Sequence, residues 1–143
     1  MNFPIIILSK GDNRIYAYTE NEFGYASLGL LDVYTDAMIL DSKGIMYDVA
    51  NAYQTGWGNM FFGYSLLMKG RSIKFKLNIR SQDQISLETF QDLLIERLNR
   101  NHTSGFWYSK RDIPRMKDAI IESKAYKDII GIFLYGIEAN SEE

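Results

Sequence analysis

One stretch, residues 36–49, constrains the fold of this chain more than any other. Two apolar runs, Ala37 to Leu40 and Ile45 to Ala52, flank the four-residue link from Asp41 to Gly44. The link ends in glycine, which tolerates the left-handed backbone conformation of tight turns. The pattern therefore predicts a β-hairpin. Because both runs are apolar on consecutive residues, we expect its strands to be covered on both faces, in the middle of an antiparallel sheet.

Three other segments have the composition of strands. Phe3 to Leu8 is bulky and β-branched except for Pro4, which should stand at the start of an edge or first strand, where its missing N–H costs least. Arg14 to Thr19 follows after turn residues and should pair with it. Ser72 to Arg80 alternates apolar and polar residues, which predicts a strand with one face in solvent.

Helical spacing is clearest in the last third of the chain. Ser86 should cap a helix that runs to about Arg100, and Asp112 should cap a second helix with Pro114 in its first turn. The segment from 123 to 134 either continues this second helix or forms a third. The predicted buried stripes are Leu87, Phe90, Leu94 and Leu98 in the first helix, and Ile113, Met116, Ile120 and Ile121 in the second.

These elements predict a single α+β domain over residues 1–143, with an antiparallel sheet of about five strands and two or three mainly C-terminal helices packed on it. A short helix or helical turn between Asn21 and Tyr34 should cross the sheet. The polar end of the chain should fray from about residue 138. A chain of this length can bury roughly 68 to 70% of its unfolded surface, so one core suffices.

Composition argues against several kinds of chemistry. There is no cysteine, which excludes disulfides and thiol nucleophiles, and His102 is the only histidine, expected in a solvated loop. The glycines do not form a phosphate-binding loop. We therefore expect no enzymatic activity, no metal and no cofactor. A hydrolase that uses the aspartates is the weakest alternative, since nothing supplies a paired base.

Three aspartates near the hairpin have the chemistry of carboxylate ligands or of an acid and base pair. Asp41 occupies the turn position at which an aspartate caps its own backbone, so a structural role explains it. Asp36 and Asp48 stand at strand ends, where solvated side chains or partner contacts are the alternatives. Residues 1–70 carry four basic and seven acidic side chains, a balance compatible with a basic protein partner.

The sequence gives no sign of export or membrane insertion. The N-terminus lacks a basic region, and the apolar run from Ile5 to Leu8 is far shorter than the ~7 to 15 residues of a signal-peptide core. The apolar stretch from Ile129 to Ile137 is well below the ~20 residues of a spanning helix. We expect a cytoplasmic protein without membrane contact.

The segment from Gln54 to Gly70 is the most unusual in composition, because four glycines are interleaved with large aromatic and sulfur-containing side chains. It is either a packed loop or an exposed binding surface. The basic strand face formed by Lys74, Lys76 and Arg80 could serve a single-stranded nucleic acid. Phe75, however, should point to the opposite face, so that stacking and phosphate contacts would not converge.

Several short patterns resemble small immunity-type proteins encoded beside bacterial polymorphic and contact-dependent toxins. The resemblance covers about residues 3 to 100 and rests on strand beginnings, one turn and one helix start rather than on a catalytic signature. The matching stretches are Phe3 to Leu8, Gly11-Asp12 with Ile15-Tyr16, Met38 to Gly44 with Tyr47-Asp48, and Ser86 to Phe90 with Leu94-Ile95.

This resemblance implies a stoichiometric inhibitor that binds a cognate toxin domain and has no chemistry of its own. Buried anchors and steering charges give such complexes their affinity and association rate. We nominate Asp36 and Asp48 as steering charges. A small-ligand or nucleic-acid-binding module remains the alternative, and the sequence leaves open whether the protein forms a homodimer. The nominated anchors are Trp57, Phe61, Phe62, Tyr64, Trp107 and Tyr108.

Overall fold

The computed structural model describes the backbone of residues 1–11, 14–20, 23, 25–57, 72–104 and 112–135. This part of the chain forms one antiparallel sheet with helices on the C-terminal side of the sequence, which confirms the predicted α+β class. The strands are β1 (Ile5–Leu8), β2 (Ile15–Tyr18), β3 (Tyr25–Ser27), β4 (Met38–Asp41), β5 (Ile45–Trp57) and β6 (Ser72–Gln84). The helices are a 3-10 helix (Leu28–Tyr34), α1 (Leu87–Ser104), α2 (Asp112–Glu122) and α3 (Tyr126–Tyr135).

Within the described residues the sheet has six strands in the order β2-β1-β4-β5-β6-β3, one more than the five or so predicted. The predicted hairpin is its centre: Met38 pairs with Asp48 and Leu40 with Met46. β1 pairs with β2, as expected, but also with β4 on its other side. Pro4 directly precedes the first strand of the chain, as predicted. Because β1 has a partner on each side, this first strand is internal and not at an edge of the sheet.

The face of the sheet toward the α-helices holds the larger core. Ser86 caps α1 by accepting a hydrogen bond from the Thr89 amide at 3.1 Å, so the predicted cap is confirmed. The stripe of Phe90, Leu94 and Leu98 is fully buried against Ile6 and Leu40 of the sheet. The α1 helix thus lies where its apolar period required it to lie.

The second predicted stripe is partly wrong. Ile113, Met116 and Ile120 are buried in the same core, but Ile121 is 62% exposed. Successive residues of a helix point about 100° apart, so the residue after Ile120 turns away from the sheet. The segment after α2 forms a separate helix, which was one of the two alternatives.

The helical layer is joined by polar side chains as well as by apolar packing. The side-chain amide of Gln91 donates to the Ile120 carbonyl at 3.0 Å and to the Ser123 carbonyl at 3.1 Å, at the end of α2. Tyr126, the first residue of α3, donates to the Ile85 carbonyl at 2.8 Å. These side-chain donors add hydrogen bonds to carbonyls at the end of a helix and just after the end of a strand.

The 3-10 helix and the residues around it cover the opposite face of the sheet. Aromatic rings dominate there: Phe23 lies 5.4 Å from Phe3 and 5.5 Å from Phe75, and Tyr34 lies 5.0 Å from Phe75, between ring centroids. The helical turn predicted between Asn21 and Tyr34 is confirmed for its second half. Strand β3, which pairs with β6, was not predicted because three residues are too short for an alternation pattern.

Candidate functional site

The two nominated steering charges come together around one arginine of β6. Arg80 Nη2 lies 2.7 Å from a carboxylate oxygen of Asp36 and 3.1 Å from one of Asp48, and it also donates to the Val49 carbonyl at 3.3 Å. Lys10 approaches Asp36 at 3.9 Å. The hydrogen bonds that Arg80 donates to Asp36 and Asp48 raise the pKa of its guanidinium above the ordinary value. The group holds two acids and two bases, so its net charge is zero.

This pairing changes what the two aspartates can do for a partner. Both aspartate side chains are partly exposed, but each already contacts a cation. The neighbouring positive charge reduces the electrostatic attraction that each carboxylate exerts on an approaching partner. Asp36 also adopts a left-handed backbone conformation, with φ of 55°, and its amide donates to the Ala50 carbonyl. Their steering role stays a prediction. In the structure, Arg80 of β6 links Asp48 of β5 to Asp36, which lies just before β4.

Asp41 has the structural role predicted for it. One carboxylate oxygen accepts hydrogen bonds from the amides of Lys43 and Ile45 within the turn, at 2.9 and 3.0 Å. The other accepts from the amide and side chain of Asn2 and from the Tyr47 hydroxyl. Burial would raise the pKa of Asp41, but these hydrogen bonds lower it below its ordinary value. A carboxylate with five donors around it is poorly placed to act as a base.

The outer parts of β5 and β6 form a feature that stands apart from the helical layer. We call residues 51–57 and 72–78 the β5–β6 arm. Within it Asn51 pairs with Asn78, Tyr53 with Lys76, and Gly56 with Lys74. On the described residues, β6 continues its pairing outward with the short β3, while β5 from Asn51 onward pairs only with β6. One edge of β5 is therefore open along the arm, and several of the arm's side chains are exposed.

Alternation decides which side chains share that face. Phe75 and Leu77 pack with Ala52 in the aromatic core on the side of the 3-10 helix. Lys74, Lys76 and Asn78 therefore point to the other side, and the neighbours of Ala52 on β5, Asn51 and Tyr53, do the same. These five side chains are all exposed, Tyr53 to 45%. We refer to them as the arm face.

The arm face is polar, aromatic and basic. The side-chain amide of Asn78 donates to that of Asn51 at 2.7 Å, which ties the two strands together at the base of the arm. Tyr53 stands directly opposite Lys76, where facing side chains have Cβ atoms about 5 Å apart. Neither Lys74 nor Lys76 forms an ion pair within the described part of the chain, in contrast to Arg80.

The position of Tyr53 is the main point that sequence reasoning missed. The prediction that Phe75 faces away from the lysines is confirmed, since Phe75 is only 7% exposed in the aromatic core. An aromatic ring nevertheless accompanies the lysines, and it comes from the neighbouring strand. An extra residue in β5 between Val49 and Asn51 shifts the alternation of that strand, so alternation counted from the hairpin would not have placed Tyr53 correctly.

Most of the nominated anchors lie outside the described residues. Trp57 is the last residue of β5, opposite Ile73, and its side chain is not described. His102 belongs to the last turns of α1 by its backbone, so its expected place in a loop is wrong. The predicted fraying beyond 138 also falls outside the described residues. The other five nominated anchors also lie outside the described residues: Phe61, Phe62, Tyr64, Trp107 and Tyr108.

One open cleft of about 310 Å³ lies between the N-terminal segment and α3. Phe3 and Pro4 form one wall, Gly131 and Tyr135 the other, and the charged residues that line it include Lys127. It lies on a different part of the molecule from the arm face. Its lining also includes the polar side chains of Thr19 and Glu20, but the cleft is wide open to solvent and does not enclose a small molecule as binding pockets do.

Three further observations bear on the kind of protein this is. No three potential metal-ligating side chains come together anywhere in the described residues. Among the helices that the structure describes, none is both long and apolar enough to cross a membrane. A comparison of the chain with protein-family models, with curated proteins and with solved structures found no match.

Proposed function

We propose that this chain is a non-enzymatic cytoplasmic binding protein that neutralises a cognate bacterial toxin by direct contact, as its resemblance to immunity-type proteins implies. The observation that supports protein binding best is the arm face. It presents Tyr53 between exposed lysines and amides, on two hydrogen-bonded strands rather than on a loop. Tyrosine is favoured as an interface anchor because it offers a large apolar body and a hydroxyl at low entropic cost.

The shape of the site favours a macromolecule over a small ligand. Small molecules bind in concave pockets that cover most of their surface, whereas two paired strands present an open face. Asp41, whose carboxylate accepts five hydrogen bonds, is buried within the hairpin and is 0% exposed. It supports the scaffold and does not reach this face.

The direct experiment is to co-express the protein with the C-terminal domain of a large secreted protein encoded immediately upstream. We expect the two to co-purify as a stoichiometric complex, and the protein to restore growth to cells that express the toxin domain. A matched control is the C-terminal domain of an unrelated toxin. A soluble upstream domain that neither binds nor is neutralised would contradict the proposal.

A second candidate is a nucleic-acid-binding module, and the pairing of Tyr53 with Lys76 favours it, since a ring and a cation on one face can stack a base and contact a phosphate. Among the described residues, only Lys74 and Lys76 are cations on that face, and two cations can contact few phosphates. The logarithm of affinity for a single strand should then fall with the logarithm of salt concentration with a slope of roughly −1.4. A much steeper slope would require further cations.

A further inference from the structure

We infer that the partner docks on the arm face with an acidic patch, so that its carboxylates meet Lys74 and Lys76 around Tyr53. This inference rests on the proposed function and specifies the chemistry of the partner. It differs from the expectation drawn from charge totals, which was a basic partner. The difference arises because the fold separates the charges of the front half from the exposed face of the arm.

The strand residues of the arm carry basic but no acidic side chains. Residues 51–57 of β5 carry no charged side chain. Residues 72–82 of β6 carry three basic side chains, Lys74, Lys76 and Arg80, and no acidic one. Arg80 is already paired with Asp36 and Asp48. Two cations therefore remain to act on a partner, although the protein as a whole has a net charge of −2.

The two lysines of the arm face are spaced closely enough to meet a pair of carboxylates. Lys74 and Lys76 are alternate residues on one side of a strand, so their Cα atoms are roughly 7 Å apart, a spacing that two carboxylates of one strand or one helical turn can match. Tyr53 lies beside this pair and can be covered by apolar surface of the partner. Asn51 and Asn78 add amide groups at the edge, so the face combines an anchor with a polar rim.

The small number of cations and rings on the arm face favours a protein partner over a nucleic acid. Proteins that bind single strands without sequence preference combine a groove that follows the backbone with several stacking rings. The arm face offers two cations and one described ring. A compact acidic patch on a folded protein needs no more than this, because charges at a rim mainly accelerate association while the anchor supplies affinity.

The test uses the full chain labelled with ¹⁵N and titrated with poly-L-glutamate at low salt, with a single-stranded oligonucleotide of equal charge in a parallel titration. We expect poly-L-glutamate to shift the amide signals of Tyr53, Lys74, Lys76 and Asn78. The double variant K74E/K76E should bind at least about 10-fold more weakly, because like charges now face each other. K74Q/K76Q should show a smaller loss.

The matched control is K43E/K124E, which changes charge by the same amount at two exposed lysines outside the arm. It should bind poly-L-glutamate within about twofold of the wild type. Equal weakening by both double variants would overturn the inference, since it would reflect net charge alone. Shifts confined to other residues would overturn it as well, and tighter binding of the oligonucleotide would assign the face to nucleic acid instead.

The cognate toxin domain separates failure of this inference from failure of the proposed function. If that domain binds the wild type and K74E/K76E equally, the acidic docking patch is wrong and the proposed function stands. If it binds neither, the proposed function fails, while the poly-L-glutamate titration still decides the chemistry of the face. Exchange of two partner carboxylates for lysines should restore binding to K74E/K76E if the inference is correct.

Discussion

Tyr47 donates its hydroxyl hydrogen to Asp41 across 3.0 Å, inside the central hairpin where Asp41 is completely shielded from solvent. The same carboxylate accepts from Asn2, which joins the N-terminus to the hairpin. Ser42 strengthens the joint through its own amide and hydroxyl, both of which donate to the Asn2 carbonyl. Asp41 thus connects the N-terminal segment, the turn and strand β5.

Replacement of Asp41 by alanine should destabilise the protein by about 3 kcal/mol, because several buried donors lose their acceptor at once. Urea unfolding followed by circular dichroism measures the change. The matched control is Asp92→Ala, at an exposed position of α1, which should change the free energy of unfolding by no more than about 0.5 kcal/mol. Similar values for the two variants would show that Asp41 is not structural.

The Asp41 and Tyr47 pair also predicts how stability depends on pH. The pKa of Asp41 is lowered in the folded state, so its contribution is present above the ordinary value of 3.8 and is lost as the pH falls through the lower folded pKa. Burial, and then the bond to Asp41, raise the pKa of Tyr47 from 10.0 to about 12. The contribution of Tyr47 is therefore present below pH 10 and is lost toward pH 12.

Tyr47→Phe isolates the alkaline part of this dependence. The variant should be less stable than the wild type by about 1 kcal/mol at pH 8, from the lost hydrogen bond. The difference should shrink as the pH rises from about 10 toward 12, because only the wild type has a tyrosine at this position to ionise. Urea unfolding at several pH values measures it. A difference that stays constant above pH 10 would contradict the raised pKa.

Gly44 and Gly56 form a natural pair for testing backbone conformation. Gly44 has φ of 79°, and a Cβ atom there would overlap the ring of Tyr126. A Cβ atom at Gly56 would meet no atom within 4 Å. Gly44→Ala should cost about 2 kcal/mol or more, whereas Gly56→Ala should be neutral or slightly stabilising. Thermal unfolding compares them, and an equal loss of stability would refute this assignment.

The left-handed backbone at Asp36 can be separated from its ion pair with Arg80. Asparagine tolerates this conformation and alanine does not, while both remove the charge. Asp36→Ala should therefore be less stable than Asp36→Asn by about 1 kcal/mol in urea unfolding. At Asp48, which shares Arg80 but has no such conformation, the alanine and asparagine variants should differ by less.

Two of the nominated anchors give a test of the binding surface. Trp57→Ala and Tyr64→Ala should leave the protein folded and weaken its complex with the toxin domain by about 10-fold or more, as expected of interface anchors. Calorimetric titration measures the affinity, and circular dichroism the fold. If either variant unfolds the protein, that residue belongs to the core and its assignment as an anchor is wrong.

Local patterns predicted the elements that depend on their own residues. The hairpin around Asp41 to Gly44, the cap at Ser86 and the stripe through Leu98 are all confirmed, because turn chemistry and helical period are properties of short segments. The predicted burial of Ile121 was wrong because the helical period alone does not show where the buried stripe ends. β3 was not predicted, because this short strand is defined by its pairing with β6, which lies far along the chain.

What the sequence determined by itself was the class of fold: strands first, helices last, and apolar faces that had to be buried on one sheet. Only the tertiary structure decided that β1 lies between β2 and β4, that Arg80 holds Asp36 and Asp48, and that Tyr53 shares a face with Lys74 and Lys76. The physical reason is that strand pairing and bulges are set by long-range hydrogen bonds, which no local period encodes.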